Sequence, residues 1–395
     1  MLGGLTEMGP FRPTADGKLE DNPHTWNEKV SMIFIEQPCG VGFSYSTAGD
    51  ADLETGDDQA ALDNYALIQA FLVRFPQFSK NKMYLTSESY GGHYLPTLAK
   101  VIVDKNTAGL DPKLNFGGFA VGNPATTHDS TTPAMMQTYW GHQLLPKPLW
   151  DKYTKLCVEA IRPNAQDCET LFLEIFAKTS AYNPYALDFP VCLADSRVGS
   201  TPHPAMYGRG QRLHLLRNRL QGLQPASKAA LGLDAVMSDA YVPCEDDYMT
   251  SYLNRADVKA ALHVKADITW GDCSRTIRYN QLDGAKSMLP YYTYLLNGSF
   301  DIDILVYSGD DDSVCGTVGT QEWIWGLGYV PRVGSDWVGW TDPSGQTAGY
   351  LTRFAGVRFA FATVHGAGHE VPTYKPQAAK VLFDNFIAGT WTKNI

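Results

Sequence analysis

Short runs of apolar residues recur along the chain between segments whose apolar positions follow a helical spacing. Five runs are rich in β-branched or aromatic residues: 30–36 (VSMIFIE), 82–86 (KMYLT), 116–121 (FGGFAV), 302–307 (IDILVY) and 357–363 (VRFAFAT). Nearly continuous apolar runs of this length are typical of strands buried on both faces of a parallel sheet. The pattern therefore predicts five such strands.

Helical periodicity fills the intervals after the first two of these strands. Residues 57–75 carry apolar side chains at helical spacing, and a second helix is predicted to begin after Tyr90 and to run through Leu98, Val101 and Ile102. Alternation of strands and helices is typical of a doubly wound α/β fold. We therefore expect a mostly parallel central sheet flanked by helices.

The middle of the chain, from about residue 131 to 264, has a different pattern. It is helical and irregular, contains cysteines and has few strand-like runs. Because it lies between two predicted strands, we interpret it as an insertion into a single domain that spans residues 1–395. Insertions at the carboxyl edge of such sheets form lids over ligand sites, which favours a helical cap. A helical subdomain with no role at the site is the alternative.

Composition narrows the class of protein. Of 395 residues, 44% are hydrophobic and 19% are charged, and the formal net charge is −10. This composition is typical of a globular chain and argues against disorder. No apolar run is long enough to cross a membrane, and the acidic balance argues against nucleic-acid binding, which requires clustered positive charge.

A serine stands where a nucleophile is expected in this class of fold. The segment YLTSESYGGH places Ser89 between a predicted strand and a predicted helix, as in the G-x-S-x-G nucleophile elbow, with Ser87 in place of the first glycine. The elbow turn is so tight that its flanking residues must be small, and serine is a tolerable substitute for glycine. The departure weakens the motif without removing it.

An acid and a histidine follow in the chain order that this fold class uses. The strand at 302–307 leads into the acidic loop SGDDDS, and the strand at 357–363 leads into VHGAGHE. The acidic loop lacks the alternating spacing of a calcium loop. Glycines between His365 and His369 argue against the helix on which a zinc pair would lie. We expect neither a metal nor a cofactor.

Three blocks, SESYGGHYLP, SGDDDSVCGT and GAGHEVP, resemble the catalytic blocks of serine carboxypeptidases, which are acid-active exopeptidases of the α/β-hydrolase fold. The segments EQPCGVGFSYS, FLVRFPQF, VGNP and YLNRADVKAALHV are also similar to that family, so the resemblance extends from Gly3 to the C-terminus. It implies that Ser89 is the nucleophile, Asp312 the orienting acid and His369 the general base. The backbone N–H of Tyr90 corresponds to one oxyanion donor.

The resemblance also implies a device that recognises the free carboxylate of a peptide. Glu7 and Glu88 correspond to two glutamic acids that share a proton and donate hydrogen bonds to that carboxylate in acid. Without the family pattern, Glu7 would be interpreted as a capping or surface residue. Glu370 corresponds to a position that lines the pocket for the departing residue, where a carboxylate would favour a basic side chain.

The family places the segment NGGPGCSS directly before the block that resembles residues 3–11. That segment supplies a second oxyanion N–H, an asparagine for the substrate carboxylate and a cysteine. We therefore expect the given sequence to be truncated at its N-terminus. Loss of one oxyanion donor lowers turnover by roughly a hundredfold to a thousandfold.

The seven cysteines are an odd number, so at least one thiol is expected to be unpaired. Cys273 resembles the family cysteine that pairs with the upstream one, and Cys315 resembles a free thiol near the catalytic histidine. Cys39 is expected to be a small buried hydrophobic residue. We predict two pairs within the cap: Cys157 with Cys168, and Cys192 with Cys244.

Three functions are compatible with these residues. The first is a serine-type carboxypeptidase that acts on peptide or protein C-termini in acid through an acyl-enzyme. The second is an acyltransferase on the same scaffold, and the third is an inactive remnant with a binding role. The predicted disulfides and the sequon at Asn297 suggest the secretory pathway, with a vacuolar, lysosomal or extracellular destination. The resemblance leaves monomer and homodimer open.

Overall fold

A computed structural model of the protein describes residues 1–109, 111–160, 164–179, 182–192 and 242–392. The strands, in chain order, are β1 (Phe11–Pro13), β2 (Leu19–Asp21), β3 (Glu54–Thr55), β4 (Met83–Glu88), β5 (Phe116–Gly122), β6 (Arg278–Tyr279), β7 (Asp303–Gly309), β8 (Val338–Thr341), β9 (Thr347–Arg353) and β10 (Phe359–Val364).

Six of these strands form the central sheet, in the order β4-β5-β7-β10-β9-β8. The first four are parallel, and β9 and β8 extend the sheet as antiparallel neighbours. This confirms the predicted α/β class and the mostly parallel sheet. Two short pairs, β1 with β2 and β3 with β6, lie outside it.

Helices connect and cover the strands. They are α1 (Asp57–Arg74), α2 (Gly91–Ala108), α3 (His128–Gly141), α4 (Lys147–Tyr153), α5 (Ala165–Thr179), α6 (Glu245–Leu253), α7 (Ala256–Ala261), α8 (Leu289–Asn297), α9 (Thr317–Gly326), α10 (Val371–Tyr374) and α11 (Pro376–Ala388). Within the described ranges, no helix combines the length and the apolar character that crossing a bilayer requires.

Both faces of the sheet are packed, which explains why the strand sequences are apolar throughout. Successive side chains of a strand point to opposite faces. In β7, Ile304 and Val306 join the apolar cluster that includes residues of α1, α2, α8 and α9. Leu305 and Tyr307 join the cluster that includes residues of α11. The acidic loop after β7 and the loop after β10 therefore follow strands whose residues are all buried.

The predicted strand at 30–36 is wrong. This segment is irregular and pairs with no strand in the described part of the chain, although Val30 and Met32 pack on the same apolar cluster as α11. The side chains of its central residues alternate between half-buried and exposed, and Ile33 is 52% exposed. A run of apolar residues thus arose here without two covered faces. As a result, β4 is an edge strand of the described sheet.

The predicted insertion at 131–264 lies partly outside the described residues. Its described parts contain helices α3 to α7, and three of them share a separate apolar cluster to which Met136, Tyr139 and Ile175 contribute. That these parts form a cap remains a prediction. The predicted disulfides Cys157–Cys168 and Cys192–Cys244 are both present. Cys39 is only half-buried, so its assignment to the core is wrong.

Shortening a buried side chain at the centre of the sheet should lower the free energy of unfolding. Phe361 lies in β10 with no exposed surface. We expect Phe361→Ala to lower the free energy of unfolding by about 3–5 kcal/mol, because the lost ring leaves a cavity. Val333 is 99% exposed, so Val333→Ala should change it by less than about 0.5 kcal/mol. Urea denaturation followed by circular dichroism measures both. Equal effects would contradict the core assignment.

Candidate active site

The turn between β4 and α2 carries Ser89. Its φ of 57° lies in the left-handed region, which is uncommon for a residue with a side chain and which the elbow turn requires. Two main-chain hydrogen bonds hold the turn: Ser89 N–H donates to Gly122 O at 3.0 Å, and Ala125 N–H donates to Ser89 O at 2.8 Å. The serine thus lies at the carboxyl edge of the sheet.

Close packing within the turn accounts for its small residues. A Cβ atom on Gly91 would lie 2.3 Å from the hydroxyl of Ser87, and one on Gly92 would lie 2.3 Å from the carbonyl of Ala125. The serine that replaces the first glycine of the motif therefore leaves room for the elbow only because its partner across the turn is Gly91.

The predicted acid and base meet because β7 and β10 are neighbouring parallel strands. Asp312 Oδ2 and His369 Nδ1 are 2.7 Å apart, and the two residues are 0% and 2% exposed. The Asp312 carboxylate also accepts hydrogen bonds from the N–H groups of Val314 at 2.7 Å and Cys315 at 3.1 Å. The buried carboxylate thereby accepts hydrogen bonds from two main-chain N–H groups in addition to its contact with the imidazole.

Asn123 is a further partner of Asp312. The role of Asn123 was not predicted from the sequence. It follows β5 and is fully buried with a φ of 37°. Its Nδ2 donates to Asp312 Oδ2 at 2.9 Å, and its Oδ1 accepts from Gly309 N–H at 2.8 Å. Asn123 thus fixes the acidic loop to the neighbouring strand. The VGNP segment was the available signal, but no spacing rule connects it to Asp312.

The environment of His369 favours its charged form. Burial alone would lower the pKa of this imidazole, but the charge and hydrogen bond of Asp312 raise it, with further contributions from the charges of Glu370 and Glu7. In the described residues, no hydrogen bond joins Ser89 to His369. The Ser89 hydroxyl instead interacts with the buried thiol of Cys315. Hydrogen bonds of this kind are often long before substrate binds.

Glu7 and Glu88 form a hydrogen-bonded pair of carboxyl groups. Glu7 ends a π-helical turn (Gly3–Glu7) and is 3% exposed. Burial and the charge of Glu370 raise the pKa of Glu7 from 4.5 to about 8. Burial and the charge of Glu7 raise the pKa of Glu88 well above its ordinary value. Oε2 of Glu7 has no hydrogen-bond partner within the described residues.

The remaining predicted residues surround this pair. Glu370 precedes α10, and its charge acts on Glu7, Glu88 and His369. Tyr90 follows Ser89 directly and caps α2, where backbone N–H groups lack helical partners. The structure thus brings all seven predicted positions to one region at the carboxyl edge of the sheet.

A second buried histidine–aspartate pair lies behind the elbow. Asp57, at the start of α1, is 2.8 Å from His93 Nδ1 and accepts hydrogen bonds from Tyr279 at 2.6 Å and Tyr90 at 3.0 Å. The Tyr90 ring stacks on His93. Sequence reasoning missed this network, since its members are distant along the chain. It holds the side chain of Tyr90, the residue predicted to donate to the oxyanion.

Three groups of side chains in the described residues have ligand atoms close enough to share a metal ion. One consists of Asp312, Cys315 and His369 and coincides with the predicted acid and base. The others are Cys192 with Cys244 and Asp247, where both thiols are in a disulfide, and His142 with Asp188 and Asp311. His365 instead pairs with Asp310 at 2.8 Å on the surface, away from any zinc pair with His369.

Comparison with known proteins supports the family resemblance. A family model described as serine carboxypeptidase matches residues 1–389. Serine carboxypeptidase-like 22 of Arabidopsis thaliana is 31% identical over 395 residues, covering 98% of this chain and 79% of the relative. Serine carboxypeptidase 24 of the same plant is 32% identical over 395 residues, with 98% and 78% covered.

A solved structure supports the fold. A prohormone-processing carboxypeptidase from Saccharomyces cerevisiae matches with a TM-score of 0.63 at 20% identity, and the match covers 98% of this chain and 80% of that one. Together with the sheet order, this likeness shows the α/β-hydrolase fold.

The carboxyl pair should make stability depend on pH. The folded-state pKa values of Glu7 and Glu88 are raised, so between pH 4.5 and about 8 the folded chain retains protons that the unfolded chain releases. Stability should therefore fall as pH rises through this window, by about 1.4 kcal/mol per pH unit for each proton retained. Urea denaturation of wild type and Glu88→Gln measures this. A Glu88→Gln slope equal to that of wild type would refute it.

Proposed function

The chain belongs to the serine carboxypeptidase family, and on that premise we propose that it removes C-terminal residues from peptides through an acyl-enzyme on Ser89. The observation that carries the proposal is the Glu7–Glu88 pair, which lies in the same electrostatic environment as His369 and Asp312. A hydrolase with only a triad would not need such a pair. An exopeptidase must recognise a free carboxylate.

The proposed chemistry is acyl transfer. His369 Nδ1–H donates to Asp312, so its Nε2 is the atom that accepts the Ser89 proton as the serine oxygen attacks the scissile carbonyl carbon. The resulting oxyanion faces the N–H of Tyr90. The protonated imidazole then gives its proton to the departing amine as the C–N bond breaks. Water repeats the sequence on the ester and releases the acid.

The proposed carboxylate site works only while the glutamate pair retains a proton. A protonated carboxyl group donates a hydrogen bond, and a carboxylate cannot. With a proton on the pair, a substrate carboxylate can accept a hydrogen bond from it. Oε2 of Glu7 is buried and has no hydrogen-bond partner in the described residues, so it is the atom proposed to make this bond. After loss of that proton, like charges in a buried site repel the substrate.

The same protons favour the acidic range for turnover. His369 acts as a base only when neutral, and the charges of Glu7 and Glu370 raise its pKa. Neutralisation of Glu7 removes one of these charges and thereby lowers the pKa of His369. Protonation of the pair, which for Glu7 extends to about pH 8, therefore completes the carboxylate site and also lowers the pKa of the base.

Glu370 is proposed to line the pocket for the departing residue. Its charge acts on both Glu7 and Glu88, which supports this assignment. A carboxylate there would attract a lysine or arginine side chain at the substrate C-terminus. We also propose that the insertion at 131–264 covers this site as a cap.

The proposed setting is the secretory pathway. Two disulfides in the described residues favour an oxidising compartment, and Asn297 of the sequon is exposed. Peptide or protein C-termini are the proposed partners.

Active-site labelling tests the nucleophile. We expect a fluorophosphonate probe to label the wild-type chain at about pH 5 and to leave Ser89→Ala unlabelled, because only an activated serine attacks the phosphorus. Circular dichroism shows whether both chains are folded. A folded, unlabelled wild type would overturn the proposed activity. If the labelled chain transfers its acyl group to an alcohol and releases no amino acid, the acyltransferase alternative is correct.

A pH profile tests the carboxylate site. For a peptide with a free C-terminus, kcat/KM should fall about tenfold per pH unit above the pKa of the glutamate pair, because a single proton is lost. The matched peptide amide should lack this alkaline limb, since it carries no charge there. Glu88→Gln should flatten the limb for the acid substrate. Equal profiles for acid and amide would contradict the role of the pair.

A further inference from the structure

Residues 183–188 run between the two loops that carry Asp312 and His369. This segment, here called the strap, follows helix α5 and lies in the region predicted as the cap. Its Ala186 and Leu187 are buried, at 0% and 4% exposure. Nothing in its sequence suggests a role in catalysis, and none of its side chains belongs to the predicted site.

The strap accepts hydrogen bonds from both loops through its main chain. His369 N–H donates to Tyr185 O at 2.7 Å, and Ser313 N–H donates to Pro184 O at 3.0 Å. The donors are the base itself and the residue directly after Asp312. Two adjacent peptide units of the strap thus bond to both loops, which are also joined directly by the hydrogen bond from Asp311 N–H to Ala367 O at 2.9 Å.

Two bonds in the opposite direction fix the strap to the acidic loop. Leu187 N–H donates to Asp311 O at 3.2 Å, and Asp188 N–H donates to the Asp311 carboxylate at 3.0 Å. The acceptor residue Asp311 is 1% exposed, whereas Asp188 is exposed, so the bond between these two residues is only partly buried. Hydrogen bonds in a buried, low-dielectric setting resist displacement by solvent.

Steric contact completes the seating of the strap on the histidine loop. A Cβ atom on Gly368 would lie 2.4 Å from Tyr185 O and 2.5 Å from Ala186 Cβ. The backbone of the histidine loop therefore approaches the strap as closely as a glycine allows, and the ring of Tyr185 meets the His369 imidazole edge to face, with centroids 5.1 Å apart.

One disulfide connects the strap to the other half of the site. Cys192, four residues beyond Asp188, is bonded to Cys244, which caps helix α6. Glu245, the next residue, pairs with Arg12 at 3.2 Å, and Arg12 Nη2 donates to Glu7 O at 3.3 Å. A chain of short contacts thus runs from the His369 loop to the backbone of Glu7.

We propose that the strap is a positioning segment of the triad and that the Cys192–Cys244 disulfide secures it, so that the region predicted as the cap fixes the separation of Asp312 and His369. The inference rests on the proposed function, since it assigns a task to the same site. It differs from a covering role because the hydrogen bonds reach the loop backbones and not the substrate. An error of about 1 Å in such a geometry can lower turnover roughly a hundredfold.

Disulfide removal at two matched positions tests the proposal. The double variant Cys192→Ala/Cys244→Ala frees the strap, whereas Cys157→Ala/Cys168→Ala removes a disulfide that closes only a local loop. We expect the first variant to lose about tenfold to a hundredfold in kcat and the second to stay within about twofold of wild type. Equal kcat values for the first variant and wild type would overturn the proposal.

The choice of substrate separates a loosened triad from a disturbed carboxylate site. A substrate whose C-terminal carboxyl group is blocked as an amide carries no free carboxylate. Its cleavage needs the triad but not the Glu7–Glu88 pair. We expect the strap variant to lose kcat for this substrate by the same factor as for a free peptide. A loss confined to the free peptide would assign the effect to Glu7 and overturn the proposal.

Amide hydrogen exchange gives a readout that does not depend on turnover. In wild type, the amides of Ser313 and His369 should exchange slowly, because both donate to the strap. In the strap variant they should exchange faster, while the amides of β7 and β10 keep their protection. Unchanged protection of Ser313 and His369 would refute the proposal. If the wild-type chain is inactive, the proposed function is wrong. The exchange rates of Ser313 and His369 still test whether the strap holds the two loops.

Should the double cysteine variant not fold, Gly368→Ala offers a second route. Its added methyl group would press on Tyr185 O, whereas Gly326→Ala meets no atom within 4 Å. We expect faster exchange at Ser313, which is remote in sequence from the substitution, in the first variant alone. Faster exchange confined to residues next to 368 would count against the strap.

Discussion

The site depends on a buried carboxylate whose charge is stabilised by hydrogen bonds from the protein. Asp312 has no exposed surface, so its charge is tolerated only because main-chain N–H groups, the Asn123 amide and His369 Nδ1 all point at it. Each donor comes from a different part of the fold: the loop after β5, the loop after β7 and the loop after β10. A parallel sheet with these strands as neighbours brings the three loops together.

Negative charge accumulates around this carboxylate to an unusual degree. The charges of Glu7 and Glu370 act on Glu88 and on His369, and the pKa values of Glu7 and Glu88 are strongly raised. Such a group of acids cannot all ionise in a buried site, so protons are retained where they would be lost in water. These raised pKa values lower the stability of the folded chain at neutral pH. They also give a site that can donate hydrogen bonds only while it holds a proton.

Much of this architecture could be predicted from the sequence, and the exceptions have physical causes. Four of the five predicted strands are present, and they could be predicted because both of their faces are packed and their sequences are accordingly apolar. Residues 30–36 are apolar as well, yet one side faces solvent, and an apolar run does not itself report whether a second layer covers it. The antiparallel pair β8 and β9 was missed because exposed residues interrupt its buried ones, so its sequence has no continuous apolar run.

The candidate site divides in the same way. Ser89, Asp312 and His369 were found from local motifs at the ends of strands. Asn123, Asp57 and the strap were not, because their contacts are with residues that are far away in sequence, and three of the strap hydrogen bonds involve only backbone atoms. Backbone carbonyls carry no sequence signal, so a segment that acts through them is visible only in three dimensions.

The two buried histidine–aspartate pairs show why contact geometry alone does not identify a base. His93 with Asp57 and His369 with Asp312 have separations of 2.8 Å and 2.7 Å, and both histidines are 2% exposed. The second carboxylate oxygen of Asp57 accepts hydrogen bonds from the hydroxyl groups of Tyr90 and Tyr279. The other pair lies beside the thiol that interacts with Ser89, and the charges of Glu370 and Glu7 act on its histidine. The charged groups around each pair therefore distinguish the proposed catalytic pair from the other one.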